Sequence, residues 1–276
     1  MSTRLRDLLM RELPALRHEP TQKRIRAVLD GETIVDSTRA VLIWEPRRIV
    51  PSYAVPGEDV DGEIAPADGA AAAAGVPAQL PRLGDIPVYD PSIPFAVHTT
   101  DGEPLVVRAR GGQRAAQAFR PSDPELAGYV VLDFAGFDAW YEEDERNVSH
   151  PRDPFHRIDI VGSSRHVRVE VEGETVADSG RARLLFEPPL PVRYYLPRDD
   201  VRMDLLAPSE KRTFCAYKGQ ASYLSLEGAP DVAWTYPEPL REAAEIADRI
   251  AFFNERVDIA VDGTLVERPV TPWSPR

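Results

Sequence analysis

The strongest constraint on this chain is that it repeats itself. Gly31-Glu32-Thr33-Ile34-Val35-Asp36-Ser37 returns as Gly173-Glu174-Thr175-Val176-Ala177-Asp178-Ser179, and Arg39-Ala40, Leu42 and Glu45-Pro46 return as Arg181-Ala182, Leu184 and Glu187-Pro188. Ten of the 16 positions from Gly31 to Pro46 are identical at a constant offset of 142. Unrelated segments of that length would share about one. After one slipped residue, Pro56-Gly57-Glu58-Asp59-Val60 answers Pro197-Arg198-Asp199-Asp200-Val201. The pattern implies an internal duplication, and 276 residues suffice for two domains of ordinary size.

The repeat sets the organisation. A helical segment at 1–21 precedes a diverged first copy at 22–139, a linker at 140–156 and an intact second copy at 157–263; a proline-rich tail at 264–276 reads as loose. The first copy carries an insertion at 65–90, with the run Ala70 to Ala74 and several prolines, which reads as irregular loop. Resuming the register with Pro91-Ser92 opposite Pro208-Ser209 sets His98 opposite Cys215, Asp101 opposite Lys218 and Gly102 opposite Gly219. Ala127 to Ala139 resembles Ala247 to Ile259 faintly.

The local pattern is mainly β. Val167-Arg168-Val169-Glu170-Val171 alternates as a half-buried strand should, and Gly173 closes it in a hairpin. Arg183 to Glu187 and Ala221 to Leu226 read as further strands, and Val257 to Val261 leads into the turn signal Asp262-Gly263. Helix is sparse. Leu240 to Phe252 has helical spacing, and Leu5, Leu8, Leu9 and Leu13 share one face behind a Thr3 cap. The expected fold is two tandem tent-like β-barrels with few short helices.

Composition mainly removes options. Apolar residues at 43% and charged residues at 28% fit a globular protein. No apolar run approaches ~20 residues and no signal peptide opens the chain, so a cytoplasmic protein without a membrane partner is expected. Cys215 is the lone cysteine, which leaves no intrachain disulfide and no four-cysteine zinc site. The net charge of −12 argues against nucleic acid. Among 33 basic residues only Lys23, Lys211 and Lys218 are lysine, and a lysine kept in an arginine-biased chain suits a task that needs a compact, deprotonatable amine.

Several blocks of the second copy are distinctive: Phe186-Glu187-Pro188, Val192 to Pro197, Asp199-Asp200-Val201, Cys215-Ala216-Tyr217-Lys218-Gly219, Ala221-Ser222-Tyr223, Trp234 to Pro239 and Phe252 to Val257. With Trp140 to Asp144 and His150 to Pro154 they resemble tandem two-copy members of the bacterial family called domain of unknown function 427. The resemblance implies a mainly β domain of the β-tent kind, similar in topology to methionine sulfoxide reductase B. Relatives of that topology often hold a cysteine-bound zinc, which a single cysteine cannot supply. The family also carries a nucleotidyltransferase-like label, but no Gly-rich phosphate loop precedes a helix here.

The chemistry candidates cluster in the second copy. An ammonium at Lys218 would stabilise a thiolate at Cys215, or a desolvated Lys218 could itself attack a carbonyl group; these two are the candidate catalytic residues. Against this stands a structural role for both. Tyr217, Gly219, Tyr223, Trp234 and Tyr236 are candidate ligand contacts, with the reading as core aromatics beside it. Glu187, Arg193 and Tyr194 come from the neighbouring hairpin, with Glu187 a charge partner for Lys218. His150, Asp153 and His156 fit no standard metal spacing, so neither a metal nor a cofactor is expected; Arg152 and Arg157 should instead meet the acidic run Glu142 to Glu145. The expected function is to bind or transform a small molecule in the second copy, with a non-catalytic interaction or scaffold module as the rival. The residues leave open whether the protein is an enzyme, and the expected assembly is a monomer with a pseudo-two-fold repeat or a homodimer.

Overall fold

A computed structural model describes residues 2–69 and 75–275. The chain is mainly β, and among the described residues helix is limited to Leu5–Arg11 and short 3₁₀ segments. It divides into two compact units, one of 1–81 and 87–153, the other of 82–86 and 154–276. Ala70 to Ala74 of the insertion lie outside the described residues.

Each unit is built from two antiparallel sheets. In the first, a seven-stranded sheet runs in the order Arg17–Pro20, Val41–Trp44, Ser52–Pro56, Tyr129–Leu132, Ala116–Pro121, Gly102–Ala109, Gly62–Pro66. A four-stranded sheet runs Glu145–Asn147, Ala139–Glu142, Ile25–Leu29, Glu32–Ser37. Ile25, Ala27, Ile34 and Trp140 of the small sheet bury against Leu42, Trp44, Val55, Leu105 and Val107 of the large one. Such burial removes apolar surface from water at about 25 cal/mol per Å² and holds the two layers together.

The second unit has the same strand order. Its small sheet runs Thr264–Leu265, Asp258–Val261, Val167–Val171, Glu174–Ser179. Its large sheet is split into Asp159–Gly162, Arg183–Phe186, Arg193–Tyr195 and Ile250–Phe252, Ala229–Thr235, Gly219–Leu226, Ala207–Cys215, joined where Leu196 and Ile250 exchange N–H···O bonds of 2.8 and 2.9 Å. All these sheets are open; none among the described residues closes into the expected barrel.

The hairpins that carry the repeat agree in detail. Asp30-Gly31 and Glu172-Gly173 both have positive φ, the backbone of a type I′ turn. Each hairpin slips register once, between Ala27 and Val28 and between Val169 and Glu170. Ser37 donates to Asp59 and Ser179 to Asp200, both at 2.6 Å, while Arg39 and Arg181 pair with the same carboxylates.

Strand pairing corrects the sequence alignment further along. The chain of partners Ala54, Val131, Phe119, Pro104 in the first unit matches Tyr195, Ala251, Trp234, Tyr223 in the second. Leu105 therefore answers Leu224, and Gly102 answers Ala221 rather than Gly219, so the pairings of His98 with Cys215 and Asp101 with Lys218 fall two residues off. Pro66, paired with Leu105, takes the place of Pro208, paired with Leu224. Ala65 and Pro66 thus belong to a strand, and the insertion begins after them. Gap placement in low-similarity sequence is arbitrary, whereas a ladder counts residues.

Other boundaries move for the same reason. Arg17–Pro20, assigned to the N-terminal helical segment, pairs with Val41–Trp44, and residues 139–147, assigned largely to a linker, form two strands of the first unit. The segment Leu240 to Phe252 is not a helix: a 3₁₀ turn at Arg241–Ile246 breaks at Ala243, and Ile250–Phe252 enters the sheet. Leu5–Arg11 is helical, but Thr3 does not cap it and Leu5, Leu8 and Leu9 are exposed, so only Leu13 is buried as expected. The tail is docked rather than loose, with Thr271 buried. No described helix is long and apolar enough to cross a membrane.

Candidate functional site

The outer face of the second unit's large sheet carries a separate aromatic cluster of Tyr195, Tyr223, Trp234, Tyr236 and Phe253, packed with Leu185, Ala221 and Ile246. Alternation along the strands builds it. Trp234 and Tyr236 point to this face while Ala233 faces the inter-sheet core, and Tyr195 lies here while Tyr194 packs on the core side. The structure therefore does not bring Tyr194 to the other candidates.

Lys218 and Glu187 meet within this region. Glu187 directly follows the strand Arg183–Phe186; Lys218 lies in the loop between Cys215 and Gly219, which face each other across the hairpin. Gly219 has φ +90, and a Cβ there would come 3.4 Å from Leu240, whose N–H bonds the Lys218 carbonyl. Glycine is thus required by the turn itself. The Lys218 ammonium donates to Glu187 Oε2 at 2.5 Å with both residues buried, and His156 Nε2 lies 3.5 Å from the other carboxylate oxygen.

Charge and burial work against each other here. Burial alone would raise the Glu187 carboxyl, but the Lys218 ammonium and His156 hold it down at about 2. Burial would likewise deprotonate Lys218; its charge interactions with Cys215 and with the Glu187 carboxylate reverse this and raise it. Lys218 accordingly stays an ammonium at neutral pH, suited to donating charge-assisted hydrogen bonds rather than to attacking a carbonyl. Tyr195 and Tyr236 are both raised by burial and keep their protons. The Cys215 thiol, half-buried at the strand end, is an electrostatic neighbour of Lys218.

The remaining candidates occupy distinct places. Tyr217 is buried under His156, with ring centroids 6.1 Å apart, and under the Arg157 guanidinium at 5.2 Å. Arg157 pairs with Glu242 at 2.5 Å rather than with the acidic run, whereas Arg152 does approach that run, 3.8 Å from Glu145. Tyr223 shares a hydrogen bond of 2.9 Å with Thr213 and stacks on Phe253. The Trp234 indole donates to the Tyr195 hydroxyl at 3.1 Å. Arg193 holds Glu255 through both terminal nitrogens at 2.8 and 2.7 Å and reaches Asn254 at 3.1 Å.

Three contributors escaped the sequence reading. Tyr195 was passed over for Tyr194, although strand alternation from Arg193 would have chosen it. Glu255 lay inside a distinctive block without an evident partner. His156 fits no metal spacing in the sequence, and nothing local marks it as a neighbour of Glu187. His150 lies 2.8 Å from the Pro151 carbonyl oxygen.

The first unit solves the same position differently. Glu45 is buried, lies 3.0 Å from His98 Nδ1 and accepts the Thr99 N–H at 2.7 Å. His98 stacks on Phe119, the ladder equivalent of Trp234, with centroids 3.8 Å apart.

These features define a class: an antiparallel two-sheet domain with a charged pair and an aromatic cluster on the outer face of its larger sheet. Residues 159–263 match the model of the family described as Domain of unknown function (DUF427). No curated protein matches the chain.

Proposed function

We propose that the second unit binds a small polar molecule at the Lys218–Glu187 pair, with Tyr195, Trp234 and Tyr236 as its apolar surroundings. The observation that carries this is a lysine ammonium buried among aromatic side chains and tied to a single buried carboxylate. A buried ion pair is poor value for stability, because well-packed apolar residues of similar volume do as well or better. Its presence is better explained by recognition. The ammonium retains further N–H groups for an anionic or carbonyl oxygen, and Glu187 accepts a donor beside it. Lys218 serves as a fixed charge in this reading, not as a nucleophile.

The units themselves we infer to be duplicates, supported by shared strand order, matched type I′ turns and the recurring Ser–Asp–Arg contact. The first unit, with His98 against Glu45, then serves as a scaffold. The proposal includes a cytoplasmic location; it also includes no nucleic-acid or membrane partner, which the net charge of −12 supports.

A thermal-shift screen against small metabolites tests it, since a molecule that binds only the folded state raises the midpoint. Wild type should shift with a compound that leaves the paired variant Lys218→Met/Glu187→Gln unshifted, and Lys218→Arg should keep part of the response. Equal shifts in wild type and the paired variant would move the site elsewhere, and no shift with any compound would leave the interaction-module reading in front.

A further inference from the structure

We propose that the face of the second unit formed by Arg193, Trp234, Phe253 and Glu255 is a docking site for a short aromatic peptide segment, which the chain's own Thr271–Ser274 fills in cis. The four receptor residues lie within residues 159–263, the part that matches the family, whereas the segment lies beyond it. The site is therefore built by one stretch of chain and filled by another.

The receptor is built on a buried ion pair. Arg193 and Glu255 form a two-point ion pair with side-chain exposures of 7% and 0%. The guanidinium lies 5.5 Å from the Trp234 ring centroid and 5.9 Å from that of Phe253. Asn254 bonds both the guanidinium and the Val192 carbonyl, fixing the strand edge that carries Arg193. A guanidinium so oriented offers its flat surface to a further ring.

The segment supplies two matching anchors. Thr271 Oγ1 donates to Glu255 Oε1 at 2.5 Å, the oxygen that Arg193 also holds, and the Trp273 ring centroid lies 5.5 Å from the Arg193 guanidinium. Both anchors are presented by a turn that closes on itself. Ser274 N–H donates to the Thr271 carbonyl at 3.1 Å, and Thr271 N–H donates to Ser274 Oγ at 3.0 Å. Gly84 N–H adds a bond of 2.9 Å to the Val270 carbonyl. Thr271 is buried, yet Trp273 and Val270 keep 45% and 50% exposure, so the segment is anchored at one hydroxyl and one ring face rather than enclosed. A competing segment could displace it. The first unit has no counterpart, because its ladder puts Ser52 in the place of Arg193. The ligand class is a peptide with a hydroxyl residue two positions before a tryptophan.

The test uses the full chain. A fluorescently labelled peptide of residues 267–276 is titrated into wild type, into Thr271→Val/Trp273→Ala and into Trp273→Ala, with anisotropy as readout. A tethered segment competes at an effective concentration of roughly millimolar, so wild type should bind the peptide at least about tenfold more weakly than the double variant. Trp273→Ala, whose side chain is half-exposed, should fall between them, and a peptide with both anchors replaced should bind none. Equal binding by wild type and Trp273→Ala overturns the proposal. So does absence of saturable binding to Trp273→Ala when its near-ultraviolet circular dichroism, apart from the lost indole, matches wild type.

Discussion

At the residue scale, Lys218 and Glu187 illustrate why one buried charge demands another. Lys218→Met leaves Glu187 as a buried carboxylate with only His156 beside it, and breaking such a pair typically costs about 3–5 kcal/mol. Adding Glu187→Gln should recover most of that loss, an outcome that urea unfolding of the single and double variants will check by double-mutant comparison. The same pair sets an acid limit. The folded Glu187 carboxyl is held at about 2 against an ordinary value of 4.5. A depressed carboxylate contributes stability that is present above its unfolded pKa and is lost as pH falls through the folded one. The melting temperature of wild type should therefore decline from about pH 5 towards pH 2 more steeply than that of the paired variant. Identical slopes would show that Glu187 is not the carboxylate responsible.

At the scale of elements, the two hairpins that carry the repeat are equivalent experiments. Gly31 and Gly173 have φ of +80 and +85 with nothing within 4 Å of an added Cβ, so only backbone conformation opposes a side chain there. Gly31→Ala and Gly173→Ala should each cost about 1–2 kcal/mol, the penalty for an L-residue in the left-handed region. Urea unfolding that registers a penalty at one hairpin and none at the other would break the equivalence of the turns. Ser37→Ala and Ser179→Ala remove a hydrogen bond to a carboxylate and should each lose about 1–2 kcal/mol, without altering the urea dependence of the unfolding free energy.

At the scale of the molecule, each unit holds its own apolar core between a large and a small sheet. Trp140 in one and Val167, Val169 and Ile259 in the other help fill the space between the layers with side chains. Purified protein should contain zinc well below one atom per chain by elemental analysis; a tightly held stoichiometric zinc would redirect attention to the histidines. Light scattering distinguishes a chain mass of 30.7 kDa from a dimer, and a monomer is the result consistent with the chain already carrying two units.

What the sequence determined by itself was what local chemistry and identity can carry. Period-two alternation in Val167 to Val171 marked a strand, Asp262-Gly263 and Gly173 marked turns, and ten identities in 16 marked two hairpins that turned out to share register, bulge and Ser–Asp–Arg contacts. The distinctive blocks marked the family, and Lys218 was singled out beside Glu187 as a charge partner. What only the tertiary structure decided was which residues of separate strands share a face. Tyr195 rather than Tyr194 stands with Lys218 because a one-residue step along a strand reverses the side chain. Arg193 belongs to Glu255, 62 positions away, because the ladder brings their strands together. Thr271 and Trp273 gain a role because a proline-rich tail, shapeless by composition, finds a preformed ion pair to sit on. Sequence records the period and chemistry of each segment, while contacts between distant segments depend on register and packing, which no local pattern encodes.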